Sequence, residues 1–462
     1  MKKILKRLFL VFLLVPCLVL FSGCSKDGLS AYEIWKQHNP ESMLTEEEWL
    51  ESLKGDKGDK GDAGEDGNDG LNGDDGKDGE DSISSYKMWE EAFANGDTTL
   101  SYVDWVIENF DINFDGEKYV INKNLLSVLE IKTFTTERNL KFNESARNSG
   151  SATLYEIDDN GDAYFVTNYH IANNSTNNGV YPYYRLEFYQ DSFYYMQGEY
   201  VGGSSTYDIA VVKVSAENYL SDRNATPVKI VEEPATAGTP VFAIGNTKGN
   251  GINVSVGGVI DIASEDVSIT VAGNTCEHRV IRHDAYIING NSGGGLFDYN
   301  GNFVGITNGG DSQDGNIKYA IPADLVQKVA DQLIENFKAD ENSHKLYKIK
   351  LGITTNVLAT TSWFNPTTEL VEVKDIIRIT NVASGSPLEQ ILSEEMGDED
   401  ILTGVILNGI EYDITRGYML DELMIQAKAN DTLSLIVTNS ETKLQTTLSE
   451  ITLSSELVFE VR

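Results

Sequence analysis

His283-Asp284-Ala285-Tyr286-Ile287-Ile288-Asn289-Gly290-Asn291-Ser292-Gly293-Gly294 sets one serine in a run of small residues. Glycine and serine both favour tight turns, so alone this stretch reads equally well as an ordinary loop. Two stretches upstream give it weight. His170 stands within Val166-Thr167-Asn168-Tyr169-His170-Ile171-Ala172, and Asp208 opens the apolar run Ile209-Ala210-Val211-Val212. A serine hydroxyl is a weak nucleophile near neutral pH; it needs a base within hydrogen-bond reach, and the base needs a third group to hold its tautomer. Histidine, aspartate and serine in this chain order meet that need in one of the known triad arrangements. Taken singly, the histidine reads as structural, the aspartate as a strand cap and the serine as a turn residue. His38, His278, His283 and His344 lack the flanking sequence of His170 and read as structural.

Outward from the serine, short apolar alternations and turn residues fill the chain from about Leu125 to Asn336, which predicts an all-β domain. Ala152 to Ile157 and Ala163 to Thr167, joined by Asp158-Asp159-Asn160-Gly161-Asp162, read as a hairpin that delivers His170 just past a strand end. Further strands are predicted at Arg185 to Tyr189, Phe193 to Val201, Val241 to Ile244, Asn253 to Ile260, Val280 to Arg282, Gly295 to Asp298 and Phe303 to Thr307. About twelve strands in one domain fit two packed six-stranded barrels. The aromatics among them fit barrel core and outward strand positions better than a sugar-binding stripe. Leu325, Val326, Val329 and Leu333 then recur at helical spacing and predict a closing helix over Ala323 to Phe337.

In order, these motifs resemble the trypsin-like fold in its bacterial HtrA (Deg) branch. Thr167-Asn168-Tyr169-His170-Ile171 matches the family's T-N-x-H-V, and Asp208 to Lys213 its D-I-A-V-L-K. Ala243 to Asn246 matches A-I-G-N, and Tyr319-Ala320-Ile321-Pro322 the segment before the closing helix. His283 to Gly294 aligns without gaps to T-D-A-A-I-N-x-G-N-S-G-G. Departures are His283 for Thr, Tyr286 for the second Ala, Ile288 for Asn and Gly295 for Pro or Ala. The resemblance implies a serine endopeptidase with His170 as general base, Asp208 as its orienting partner and Ser292 as nucleophile. It assigns the oxyanion donors to the backbone N–H groups of Gly290 and Ser292. It also places Tyr286 at the floor of the primary specificity pocket.

Residues 349–462 resemble the PDZ domain that follows the protease in this family. Leu351-Gly352-Ile353 stands for the carboxylate-binding loop, Ile379 to Pro387 for a strand and turn, and Met419 to Ala427 for the groove helix. The implied ligand is a peptide C-terminus. An unrelated small α/β module remains the alternative, because the aspartate expected after Gly404 is absent and residues 388–403 are long and acidic.

The N-terminal part has another character. Lys2, Lys3, Lys6 and Arg7 precede an apolar run from Leu8 to Leu20, the pattern of an export signal over residues 1–23. Phe21-Ser22-Gly23-Cys24 resembles the bacterial lipobox, in which the cysteine is acylated, with Phe21 in place of Leu. A plain signal peptide or uncleaved anchor is the alternative. Two related patterns, residues 24–54 with Tyr32 and Trp35 and residues 82–116 with Tyr86 and Trp89, read as small helical hairpins. Between them, residues 55–81 carry glycine at every third position from Gly55 to Gly79. Only glycine fits the axis of a collagen triple helix, yet the tract has no proline and its later triplets are acidic. The preferred reading is a charged, hydrated spacer, with a homotrimer as the alternative. Asp111, Asn113, Asp115 and Gly116 imitate the opening of a calcium loop, but position twelve is Asn122 in place of Glu, so a turn into the next domain is read there.

With 72 acidic against 36 basic residues, the 462-residue chain carries a formal charge of -36, which repels polyanions and excludes nucleic acid as the expected partner. Three cysteines, Cys17, Cys24 and Cys276, offer no disulfide framework, so packed cores must hold the fold. No zinc-type histidine pair and no phosphate loop occur, so neither metal nor cofactor is expected. The expected whole is a mainly β chain: a helical and collagen-like stalk, a chymotrypsin-like double β-barrel over residues 120–340 and a PDZ-like α/β domain over 349–462. It would be lipid-anchored on the extracytoplasmic face of a bacterial membrane and act on polypeptides. The competing reading is a catalytically idle protease fold that serves as an adhesin or scaffold.

Overall fold

The computed structural model describes Thr45 and residues 116–461, apart from 175–178, 232–234, 263–266, 272–273 and 311–314. The export signal, Cys24, both repeats apart from Thr45 and Gly116, the glycine tract and the acidic loop before Gly116 lie outside the described residues. Asp115–Arg462 form one compact unit.

That unit opens with a helix, α1 (Gly116–Leu125), which the strand alternation from Leu125 onward does not announce. Six strands follow: β1 (Val128–Phe134), β2 (Ser149–Ile157), β3 (Ala163–Thr167), β4 (Tyr183–Glu187), β5 (Met196–Ser204) and β6 (Ile209–Val214). They close into an antiparallel barrel in the order β1-β2-β3-β6-β5-β4. A second closed barrel, in the order β8-β9-β12-β11-β10-β7, is made from β7 (Pro240–Asn246), β8 (Ile252–Ile262), β9 (Ile281–His283), β10 (Gly295–Asp298), β11 (Phe303–Gly310) and β12 (Lys318–Pro322). Closure leaves neither barrel an unpaired edge.

The period of two explains why strands such as β3 and β6 are apolar on both faces. Ala163, Phe165, Ala210 and Val212 fill the first barrel with Leu129, Ile131 and Leu154. Their neighbours Tyr164, Val166, Ile209 and Val211 turn the other way, into a core shared with Phe242, Ile244 and Phe297 of the second barrel. Val241, Ala243, Ile281 and Leu296 fill the second barrel itself. Helix α2 (Ala323–Ala339) lays Leu325, Val326, Val329, Leu333 and Phe337 into the shared core. It also holds the first barrel through a hydrogen bond from the Tyr155 hydroxyl to Asp331 and an ion pair from Lys338 to Glu156 at 3.0 Å.

Two strands are displaced from expectation: the one predicted as Arg185 to Tyr189 runs over Tyr183–Glu187, and a second is shifted further. The segment predicted as Phe193 to Val201 is paired over Met196–Ser204, because the Asp191 carboxylate accepts the Tyr194 N–H at 3.2 Å and turns the chain first. Phe193 and Tyr194 are left exposed.

A PDZ-like sheet follows. β13 (Ile353–Asn365), β14 (Leu370–Val382), β15 (Asp400–Leu407) and β16 (Thr432–Asn439) lie side by side in that order in a seven-stranded sheet, with β13 at its edge. Helix α3 (Met419–Gln426) packs on α2, and its Ile425 enters the shared core with Leu346 and Val461.

Candidate active site

His170 sits in the helical turn Tyr169–Ala172 immediately after β3, and Asp208 lies in the tight link between β5 and β6. β3 and β6 are neighbours with Thr167 opposite Ala210, so the register brings the two side chains to the same barrel end. Asp208 is 1% exposed and holds φ at +52°, a left-handed conformation that aspartate tolerates better than most residues. Four hydrogen bonds over-determine it. Its carbonyl accepts from the Asn168 side chain at 2.9 Å and from the Tyr169 N–H at 3.1 Å. Its Oδ1 accepts the His170 N–H at 2.9 Å, and its Oδ2 lies 2.8 Å from His170 Nδ1. With the proton on Nδ1, the imidazole presents the Nε2 lone pair outward.

Ser292 belongs to the other barrel, in the turn that leads into β10. The two halves meet at the start of β2. The Asn148 side chain donates to the His170 carbonyl at 3.2 Å, and the Ser151 N–H donates to the Ser292 carbonyl at 2.8 Å. Among the described residues the hydrogen bond of the Ser292 hydroxyl is a long one, 3.4 Å to the Asn308 carbonyl. No hydrogen bond joins the Ser292 hydroxyl to His170 among the described residues; between a nucleophile and its base such a bond commonly tightens only when substrate binds.

The peptides before the serine are held in one orientation. The Asn291 N–H donates to the Ile288 carbonyl at 3.0 Å, and Gly290 has φ at +99°, which together describe a turn with its third residue left-handed. Any side chain at 290 would collide, since a Cβ there would lie 2.0 Å from the Asn246 carbonyl oxygen. The Asn289 carbonyl accepts the Lys248 N–H at 2.7 Å, and the Asn291 carbonyl accepts the Thr307 hydroxyl at 2.6 Å. Because a trans peptide points its N–H opposite to its carbonyl, the N–H groups of Gly290 and Ser292 are turned away from these anchors. Among the described residues neither N–H is given to a protein acceptor. Two fixed, unclaimed donors beside a serine hydroxyl are what a developing oxyanion requires.

Tyr286, expected at a pocket floor, is 59% exposed, with its carbonyl taking the Ser255 hydroxyl at 2.6 Å. His283, which stands where the family motif has Thr, is buried in β9, and burial pushes its imidazole down to about 4. His278 is buried too, its Nε2 3.4 Å from the Asn308 side chain. The sequence gives no sign of Ser151, Lys248 or Asn308, whose contributions here are a hydroxyl, an amide and a carbonyl outside any motif. Leu351 is buried, Gly352 has φ at +71°, and their carbonyls accept from Ser386 and Ala383 at 2.7 Å each. The N–H groups of Leu351 and Gly352 are given to no protein acceptor among the described residues. No group of His, Cys, Asp or Glu able to hold a metal ion occurs among the described residues.

The profile of the family described as "Trypsin-like peptidase domain" matches residues 150–306. The chain is 28% identical over 292 residues to "Serine protease Do-like HtrA" of Bacillus subtilis, an overlap that takes in 62% of this chain and 60% of that one. It is 36% identical over 156 residues to "Serine protease PepD" of Mycobacterium tuberculosis, covering 31% and 32% of the two chains. To "Periplasmic serine endoprotease DegP" of Escherichia coli it is 29% identical over 190 residues, covering 40% and 36%. The chain therefore spans at most 60% of the length of these curated relatives. Among solved structures, the serine endoprotease from Yersinia pestis aligns at 19% identity with a TM-score of 0.44, covering 75% of this chain and 98% of that one.

Proposed function

We propose that this chain, which belongs to the HtrA/Deg-type trypsin-like serine proteases, cleaves exposed or unfolded polypeptide segments by acyl-enzyme chemistry with His170, Asp208 and Ser292. The observation that carries the proposal is the 2.8 Å contact between His170 Nδ1 and Asp208 Oδ2, with a serine segment tied to the same start of β2 and its neighbouring N–H groups unclaimed among the described residues. In the forward step His170 Nε2 takes the Ser292 proton as the hydroxyl oxygen attacks the substrate carbonyl carbon. Asp208 holds the imidazole in the required tautomer and stabilises the imidazolium that forms. The charge on the carbonyl oxygen is met by the Gly290 and Ser292 N–H groups. The imidazolium then gives its proton to the leaving amine, and water, activated by the same base, releases the acyl group.

The domain after β12 is proposed to bind peptide C-termini. The free N–H groups at Leu351 and Gly352 suit a carboxylate, and β13, as the sheet edge, is open to strand addition. A peptide ending in a free carboxylate should bind, and the same peptide amidated should not; equal affinity for both would remove this assignment. Acylation of Cys24 after export would hold the enzyme on the outer face of a bacterial membrane. No helix among the described residues is long and apolar enough to cross one.

Labelling with a fluorophosphonate tests the catalytic assignment. Wild-type protein should be labelled and should cleave an unfolded substrate such as reduced casein, and Ser292→Ala should do neither. Wild type that takes no label even with that substrate present would favour the idle scaffold.

A further inference from the structure

The Ser151 hydroxyl lies at the crossing of the two barrels. It sits near the start of β2, wholly buried, and makes two hydrogen bonds of 2.8 Å: it accepts the Asn246 N–H from the end of β7 and donates to the Gly290 carbonyl. The Ser151 N–H reaches the Ser292 carbonyl, also at 2.8 Å. One residue of the first barrel thus holds the nucleophile segment of the second on both sides of Ser292. Its own carbonyl is fixed by the Thr167 hydroxyl at 2.7 Å, three residues before His170. Space around it is tight. A Cβ on Gly293 would lie 2.2 Å from the Ser151 carbonyl oxygen, and one on Gly245 would lie 3.1 Å from its hydroxyl.

Resting on the assignment of Ser292 as nucleophile, we propose that the Ser151 hydroxyl is a positioning group that keeps the oxyanion site open before substrate arrives. The argument is geometric. Four consecutive carbonyls, from Asn289 to Ser292, each have a donor: the Lys248 N–H, the Ser151 hydroxyl, the Thr307 hydroxyl and the Ser151 N–H. With all four carbonyls held, the peptides that carry the Gly290 and Ser292 N–H groups are each fixed in orientation. Three of the donors are backbone or lie within the second barrel. The Ser151 hydroxyl is the side-chain donor from the first barrel, and it holds the carbonyl side of the Gly290–Asn291 peptide, whose N–H side closes the turn on the Ile288 carbonyl. Without it, the Gly290 carbonyl is free to turn toward another donor; the Asn291 N–H in the same peptide then leaves the Ile288 carbonyl, and the turn that carries the Gly290 N–H opens. The hydroxyl touches neither substrate nor reacting atoms, so it acts through the loop alone.

Ser151→Cys and Ser151→Ala test this, with rates measured on a fluorogenic peptide and normalised to folded protein. Cysteine keeps the size with a weak donor, and alanine removes the donor. The expected order of kcat is serine, cysteine, alanine, with alanine lower by roughly tenfold to a hundredfold, less than for deleting an oxyanion donor outright. KM should stay within about twofold, because substrate-binding contacts are untouched. If Ser151→Ala does not fold, Ser151→Cys decides. Wild-type kcat in the folded variants, or a change confined to KM, overturns the positioning role while leaving the Ser292 assignment standing. Wild-type protein that takes no fluorophosphonate overturns both.

Discussion

Asp208 concentrates the cost of building this site in one residue. A buried aspartate with φ at +52° persists because its carbonyl and both carboxylate oxygens are engaged by Asn168, Tyr169 and His170. Asparagine at 208 would keep the shape but present an NH2 to His170 Nδ1, which forces the proton onto Nε2 and removes the base. Asp208→Asn should therefore lower kcat by about 10⁴ on a peptide substrate with little change in melting temperature. Gly290→Ala should abolish activity and lower the melting temperature, since the new methyl group meets the Asn246 carbonyl oxygen in a conformation that alanine resists; a scanning calorimeter and a peptide assay read the two effects. His170, Asp208 and Ser292 stand out in the sequence because the roles proposed for them need particular side chains within recognisable flanks. Ser151 does not stand out, because its partner Gly290 is 139 residues away and the bond is to a carbonyl that any residue would supply.

β9 is only three residues long, yet it joins β8 to β12 and leads into the serine loop. Its His283 is wholly buried. Burial drives the imidazole down to about 4, the nearby Lys318 pushes the same way, and Asp284 opposes them. The unfolded chain, with an ordinary histidine, binds a proton that the folded chain refuses between about pH 6.5 and 4. Stability from this group is therefore full above pH 6.5 and falls as the pH drops through that window, by about 3 kcal/mol in all. Melting temperatures measured across that range should decline for wild type and decline less for His283→Asn. Equal slopes would show that His283 is not the group responsible. The barrels and α2 were readable as elements because a period of two and a period of 3.6 each repeat over several residues. The β13–β14 hairpin was not, because Trp363, Phe364, Leu370 and Val371 near its tip are exposed and follow no burial pattern.

Across the described unit, a buried polar cluster ties the double barrel to the domain behind it. Arg279, just before β9, donates to both oxygens of Glu422 on α3, at 2.6 and 3.0 Å, and the Arg279 and Glu422 side chains are both nearly buried. The Tyr418 ring lies 4.5 Å from the guanidinium, and Lys328 of α2 reaches Glu422 at 3.0 Å. Although burial pushes the Asp324 carboxyl up, Arg279 and Lys328 hold it below its usual value. Breaking one partner of such a cluster strands the others, so Glu422→Gln should cost about 3 kcal/mol, read as a lower urea midpoint. A midpoint unchanged from wild type would mean that water reaches the cluster and screens it. Helix α2 adds a mechanical side to this arrangement. It grips the first barrel through Asp331 and Lys338, continues from the last strand of the second, and bears α3 on its surface. Tension applied to the C-terminal domain would run along α2 into the seam where the two barrels abut. A pull too weak to unravel any strand would thus be felt first as a small parting of the histidine's barrel from the serine's.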